Sequence, residues 1–321
     1  MLGLGTSLMH SASPSEYVMT KSIQFDGTND NFLTNTLSGT APANGSTKPT
    51  TNSLSVAVWL KFEDGTSDPY NNGTSALHAI NCLSNGGWGI SYTNKQLRGR
   101  VNMTHPDGST FSHTVASKFG RLRPPTSGVF NKVLHKPDNW HFVVMTNDMS
   151  DGTNQVVTNL YVDGNRAQAG NESGSGTTNQ GAQDETSETK KTTSASGTGN
   201  IVYRYNPSGD GDELDLSIGS QGGFTDATNV TAGSTAFWLG YIGDAAVWEN
   251  VVLSQSEIAT LYNLHRPIDM STTQSSFLRG YWRPTLGLAD HVTGITGTLV
   301  DDAAIVSHVP TTDVSGFFGY Q

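Results

Sequence analysis

Residues 237–264 read FWLGYIGDAAVWENVVLSQSEIATLYNL, and a change of period inside this stretch decides the fold. The first half alternates. Trp238, Gly240, Ile242 and Asp244 fall on one side, and Phe237, Leu239, Tyr241 and Gly243 on the other. Period two with aromatic residues is a strand signal. The second half switches to a helical spacing. Ser254 with Glu257 three residues later forms a capping box, each side chain serving a free backbone N–H of the first turn. Leu253 and Ile258 flank the cap at the spacing of a hydrophobic staple. Ile258, Leu261 and Tyr262 then make one apolar stripe, so the segment is a short amphipathic helix.

The rest of the chain is patterned for strands. In 54–62, LSVAVWLKF, Val56, Val58, Leu60 and Phe62 share a face and Trp59 takes the other. Residues 18–34 read as strand, turn at Asp26-Gly27, strand. Further strands are expected at 76–83, 88–93, 97–103, 110–116, 140–147 and 155–162, with a hairpin closed by Asp163-Gly164. The pattern resumes at 201–205, 214–218, 277–283, 296–300 and 304–309. Residues 165–200 carry almost no apolar side chain and read as a long polar insertion. Residues 225–234 read as a loop. Residues 118–137, with Arg121, Arg123, Lys132 and Lys136, read as a basic surface excursion.

Several stretches in order resemble the laminin-G-like, concanavalin A-like domains. They are SIQFDGTNDNF (22–32), LSVAVWLKF (54–62), NWHFVVMTND (139–148), NLYVDGNR (159–166) and FLRGYWRP (277–284), together with the strand-to-helix stretch above. The resemblance spans roughly residues 20–310. It implies an all-β, antiparallel jelly-roll sandwich with one short helix. Around it lie an N-terminal arm (1–17), the insertion at 165–200 within an 18–310 sandwich, and a C-terminal aromatic tail (311–321). The fold hosts lectins, hydrolases and structural modules, so function has to be argued from particular residues.

Composition removes several classes. The 321 residues carry a net charge of −10 with 18 basic residues and no basic run, which disfavours nucleic acid as a partner. The single cysteine, Cys82, lies in an apolar run, reads as a core thiol and can form no internal disulfide. No apolar stretch reaches the length of a membrane span. The start, MLGLGTSLMHSAS, has neither a positive n-region nor a long apolar run and does not read as a signal peptide.

Catalytic patterns are absent from the sequence. Glycan-cleaving members of the resembled fold carry a strand of spaced acids, one acting as nucleophile and one as general acid. Here Glu213 and Asp215 match two positions, but Ser217 and Ile218 stand where the third acid would be. No nucleophile elbow and no His-Glu-x-x-His zinc motif occurs. The expectation is a protein that is not an enzyme.

Binding chemistry is better represented. The resemblance implies a calcium ion at a sandwich edge, with Asp26, Asn29, Asp30 and Asp244 as its candidate ligands. Calcium prefers six to eight oxygens, which such side chains supply. Asp26 and Asp244 serve equally well as turn caps. A glycan site would stack a sugar on an exposed ring, and Trp88, Tyr92, Tyr70 and Trp248 are the candidates. Trp59, Trp140, Trp238 and Trp282 read as core.

The first residues also resemble the starts of structural proteins of tailed phages. Leu2, Leu4, Leu8 and Met9 are apolar positions that can dock on a neighbour, as are Phe317, Phe318 and Tyr320 at the other end. Together these features imply a non-enzymatic structural protein of a virus particle, located on the particle surface as a capsid decoration, head-fibre or tail-associated component. Its partners would be further copies of itself and other capsid or tail proteins. The alternative is a lectin-like adhesion module for host-surface glycans, with or without calcium.

Overall fold

Every residue of Leu54–Phe62 is buried, and that one strand explains the layering. The computed structural model describes residues 17–34, 53–62, 77–81, 87–93, 96–116, 140–151, 155–166, 190–192, 201–203, 216–220, 224–226, 229–230, 236–263 and 266–310. The candidates Leu2, Leu4, Leu8, Met9, Tyr70, Cys82, Glu213, Asp215, Phe317, Phe318 and Tyr320, and the basic stretch 118–137, lie outside the described residues.

In chain order the first strands are β1 (Ser22–Asp26), β2 (Asn31–Thr34), β3 (Leu54–Phe62), β4 (Leu77–Asn81), β5 (Trp88–Thr93), β6 (Gln96–Thr104) and β7 (Thr110–Ala116). Next come β8 (His141–Asp151), β9 (Gln155–Val162), β10 (Asn165–Arg166), β11 (Lys190–Thr192), β12 (Val202–Tyr203) and β13 (Leu216–Ile218). The chain continues with β14 (Phe224–Asp226), β15 (Asn229–Val230), β16 (Leu239–Glu249) and the helix α1 (Gln255–Tyr262). It closes with β17 (Leu278–Trp282), β18 (Thr298–Val300) and β19 (Ala304–Val306).

The protein is an all-β sandwich of two antiparallel sheets. The first sheet runs β10-β9-β8-β3-β16-β1-β19, with β11 on β9 and β17 on β16. The second runs β12-β6-β5-β4-β13-β2-β18, with β7 on β6. Between them, Val56, Val58, Leu60 and Phe62 of β3 pack with Ile90, Tyr92, Val101, Met103, Leu216 and Ile218. The other face of the first sheet is covered as well. Ala57 and Trp59 of β3 join Phe142, Trp248, Leu253, Ile258, Leu261 and Tyr281 in a second apolar layer under α1. A strand buried on both faces reads as a continuous apolar run, which is why β3 shows no exposed position.

The helix forms as its sequence dictates. The Ser254 hydroxyl accepts from the Glu257 N–H, and the Glu257 carboxylate accepts from the Ser254 N–H at 2.7 Å. Leu253 and Ile258 are both fully buried, as a staple requires. Asn263 ends the helix in the left-handed conformation.

One feature of β16 departs from simple alternation. Its pairing with β3 runs Ile242↔Leu60 and then Ala245↔Val58, so Gly243 and Asp244 together oppose Trp59. This is a β-bulge, and it reverses which side chains face inward. Before it, Trp238 and Ile242 lie between the sheets; after it, Ala245 and Val247 do. Asp244, expected beside Ile242, is turned onto the outer face of the first sheet. The polar insertion is also not wholly a loop: Asn165–Arg166 and Lys190–Thr192 both pair with β9. Residues 224–226 and 229–230, expected in a loop, form a small hairpin of their own.

Candidate functional site

Two connections cross from one sheet to the other side by side. The first joins β1, in the first sheet, to β2, in the second; the other joins β18, in the second, to β19, in the first. Pairing of β1 with β19 and of β2 with β18 holds the two turns together at the rim of the sandwich. Asp26 ends β1 and Asp30 precedes β2, while Asp302 sits in the β18–β19 turn. One carboxylate oxygen from each lies within 4.8 Å of the others.

Local geometry fixes this arrangement. Gly27 has φ +81°, and the Thr28 N–H donates to Asp26 Oδ1 at 2.7 Å. That closes a tight turn which folds Asp30 back beneath Asp26. The Asp26 N–H donates to Asp30 Oδ2 at 2.8 Å. Asp30 is 2% exposed, yet its Oδ1 is buried without a hydrogen-bond partner. Burial pushes the Asp30 carboxyl up to about 6; the Asp26 N–H opposes this, and the Asp302 and Asp26 carboxylates add to it. Asp26 and Asp302 are exposed, and Asn29 lies exposed in the same turn.

Converging carboxylates with an orphaned, buried oxygen fit a hard divalent cation. Such an ion takes oxygen ligands and removes the mutual repulsion that holds the Asp30 carboxyl high. Asp26, Asp30 and Asp302 would hold it, with the exposed side leaving room for water ligands.

Asp244 is not part of this group. Asp26 pairs with Leu239 on β16, and Asp244 lies five residues further along, about 16 Å at the rise of a strand. It is fully buried in a different setting. Tyr17 OH donates to Asp244 Oδ2 at 2.5 Å, and Tyr281 OH donates to the same oxygen at 3.0 Å. Asp244 Oδ1 is buried without a partner. Arg283 stacks on the Tyr17 ring at 4.1 Å and donates to Asp269 Oδ2 at 3.1 Å. Burial lifts the Asp244 carboxyl to about 6 against the pull of the two hydroxyls and the Arg283 charge.

Three of the four aromatic candidates cannot offer a ring to a sugar. Trp88 is 3% exposed and Tyr92 1%. Both alternate with Gly89 and Ser91 on β5 and so face into the core, where Tyr92 packs edge-on against Phe62 at 4.8 Å. Trp248 is fully buried, and its Nε1 donates to the Thr273 carbonyl at 2.9 Å.

Sequence reasoning missed Asp302, although an Asp301-Asp302 pair between two expected strands is a visible turn. It also missed Tyr17, Tyr281 and Arg283, whose roles depend on the bulge. Among the described residues, no helix is long and apolar enough to cross a membrane.

No protein-family model matches the sequence, and no curated protein matches it. Solved structures give distant likenesses. The binding domain of Paraclostridial Mosquitocidal Protein 1 is 11% identical over 68% of this chain and 39% of that one, with a TM-score of 0.31. The botulinum neurotoxin type G receptor-binding domain is 12% identical over 67% and 38%, with a TM-score of 0.35. The enzymatically active domain of bacteriophage CBA120 tailspike protein 2 is 8% identical over 84% and 34%, with a TM-score of 0.30. This chain therefore spans less than two fifths of each of those chains, and likeness this distant carries no functional argument.

Proposed function

We propose that the chain is a non-enzymatic structural and binding protein of a phage particle, built on a laminin-G-like jelly roll braced by one calcium ion. The rim group of Asp26, Asp30 and Asp302, with its buried, unbonded Asp30 oxygen, supports the calcium brace; the phage-particle part rests on the resemblance of the first residues to phage structural proteins. A cation at the rim ties together the two turns that bridge the sheets. A site with few protein carboxylates suits the millimolar calcium found outside cells, since sites of extracellular modules bind at ~10⁻⁴–10⁻³ M. The protein would stand on the particle surface as a decoration, head-fibre or tail-associated component, in contact with copies of itself and with other capsid or tail proteins.

Of the N-terminal arm (1–17), Tyr17 is fixed to the sandwich, and residues 1–16 are the proposed assembly segment, with Leu2, Leu4, Leu8 and Met9 its contacts. The support is the fixed point from which the arm departs: Met19 is buried in the outer apolar layer, and Tyr17 is bonded to Asp244. Glycan binding at a calcium-braced edge is the second reading, favoured by the rim group itself.

Light scattering on the full chain and on a chain lacking residues 1–16 tests the assembly role. A defined oligomer that only the full chain forms is the expected result; two monomers would remove the arm from the account. Screening the full chain against surface glycans, with calcium and with chelator, tests the second reading. Binding that chelator leaves intact would detach it from the rim.

A further inference from the structure

The outer face of the first sheet holds a carboxylate that the rim does not use. Asp244 is sealed there by the segment 17–20. Above it, Tyr17 closes the contact with a 2.5 Å hydrogen bond. Beside it, Met19 is buried against the bulge: a Cβ on Gly243 would come within 2.7 Å of the Met19 sulfur. Beyond it, the Thr20 and Lys21 N–H groups both donate to Thr285 Oγ1, at 2.9 and 3.3 Å. Between these anchors Val18 stays exposed. The segment is a strap held by one phenol, one apolar plug and one shared hydroxyl. It has no strand pairing until β1 begins at Ser22.

The groups facing Asp244 come from each element around it. Tyr17 belongs to the strap, Tyr281 lies on β17, and Arg283 follows that strand. Asp269 contributes a second negative charge from the segment after α1. His291 lies edge-on to Tyr281 at 6.0 Å. Two hydroxyls converge on one carboxylate oxygen, while the other oxygen and the Arg283 Nε remain buried without partners. Ionised, the carboxylate is left half-solvated in a dry setting. Protonated, it sheds that penalty and keeps both hydroxyl contacts.

We propose that the strap is a proton-controlled clasp: closing residues 17–20 over Asp244 takes up a proton on that carboxylate, so acid shuts the clasp and neutral pH loosens it. The clasp thereby sets how firmly the chain before Tyr17 is tethered to the sandwich. Closure strips water from Asp244, and desolvation favours the neutral form. By linkage, whatever raises proton affinity on closing is favoured by protons in return. A closed-state value of about 6 makes the closed-to-open ratio larger at about pH 4.5 than at about pH 7.5, by up to about 25-fold in the limit where opening returns Asp244 to the ordinary 3.8. The inference rests on the Asp244 cage alone and stands whether or not the rim holds a cation.

Hydrogen exchange of the full chain tests it, read at the Thr20 and Lys21 amides and corrected for intrinsic rates. Protection should rise several-fold, up to about 25-fold, from pH 7.5 to 4.5 and become flat in Asp244→Asn, whose amide oxygen still accepts from the tyrosines. Equal protection at both pH values, or an unchanged dependence in Asp244→Asn, overturns the proposal. Should that variant fail to fold, carbon NMR of the Asp244 carboxyl decides in its place. The carboxyl should titrate near 6 in the native chain and lower in Tyr17→Ala, where entering water outweighs loss of the hydroxyl that by itself holds the value down. Titration at an ordinary aspartate value in the native chain, or no shift in Tyr17→Ala, overturns it equally.

Discussion

Asp30 at the rim and Asp244 beneath the strap are both buried, both have one unbonded oxygen, and burial lifts both to about 6. Their neighbours are opposite in kind. Asp30 faces two more carboxylates. Asp244 faces two phenols, with a guanidinium close by. The same perturbation therefore has two different remedies. At the rim, a proton relieves only one of three charges, whereas a divalent cation offsets two and attracts all three. Under the strap, the positive charge is already supplied by Arg283, and a single proton suffices. A raised carboxyl alone does not identify a site; the charge of its surroundings decides whether metal or proton is the natural ligand.

Removing Arg283 breaks the comparison most severely. Arg283→Met leaves the fully buried Asp244 and the partly exposed Asp269 without their shared cation, and leaving a buried charge uncompensated costs about 3 kcal/mol. Urea unfolding at neutral pH should show that loss and recover part of it in acid, as Asp244 neutralises. A loss under about 1 kcal/mol, a size typical of exposed pairs, would mean that the guanidinium is not holding the cage together.

The next effect is a pH slope. Both acids have raised folded-state values, so their ionised forms cost stability. Stability should therefore grow as pH falls through about 6 and level off near the ordinary 3.8. Asp244 contributes about 2 kcal/mol of this between about pH 7.5 and 4.5. Asp244→Asn should flatten its share of the slope and leave that of Asp30. Saturating calcium should remove the share of Asp30 and leave that of Asp244. A variant and an ion that act on the same share would merge the two regions into one.

Gly243→Ala is the smallest and most selective intervention. Its methyl group would meet Met19 Sδ at 2.7 Å and Trp59 Cβ at 3.2 Å. It should displace the strap at a cost of about 1 kcal/mol while leaving the rim unaltered, because overpacking by one methyl is felt locally. Thermal unfolding with and without calcium reads both effects: the midpoint should fall, and the calcium-induced shift should stay the same.

Much of the fold was legible in the sequence. The bounds of β3, β5, β7 and β9 follow from apolar alternation between turn residues, and α1 follows from Ser254, Glu257 and the staple. The rim was half legible: Asp-Gly at 26–27 marks the turn, and three of the candidate ligands lie in it. The missing partner, Asp302, is 272 positions after Asp30 in the chain, and only the pairing of β1 with β19 and β2 with β18 brings it there. Asp244 was misplaced because alternation was extended through Gly243. A bulge adds one residue and inverts the parity of everything after it, and nothing in FWLGYIGD announces where that residue goes. Trp88, Tyr92 and Trp248 failed as exposed rings for a related reason. A glycine pair before Trp88 and the position of Trp248 near a strand end suggest exposure, but orientation depends on which face the register assigns and what covers it.

The central claim is that the rim carboxylates hold a divalent cation. Calorimetric titration of calcium into the full chain at neutral pH, alongside Asp30→Asn and Asp302→Asn, addresses it most directly. One site of about 10⁻⁴–10⁻³ M affinity is expected, weakened at least tenfold in either variant and fading below about pH 6 as Asp30 gains its proton. Absence of a calcium response in the native chain, or a response that both variants retain in full, would contradict it.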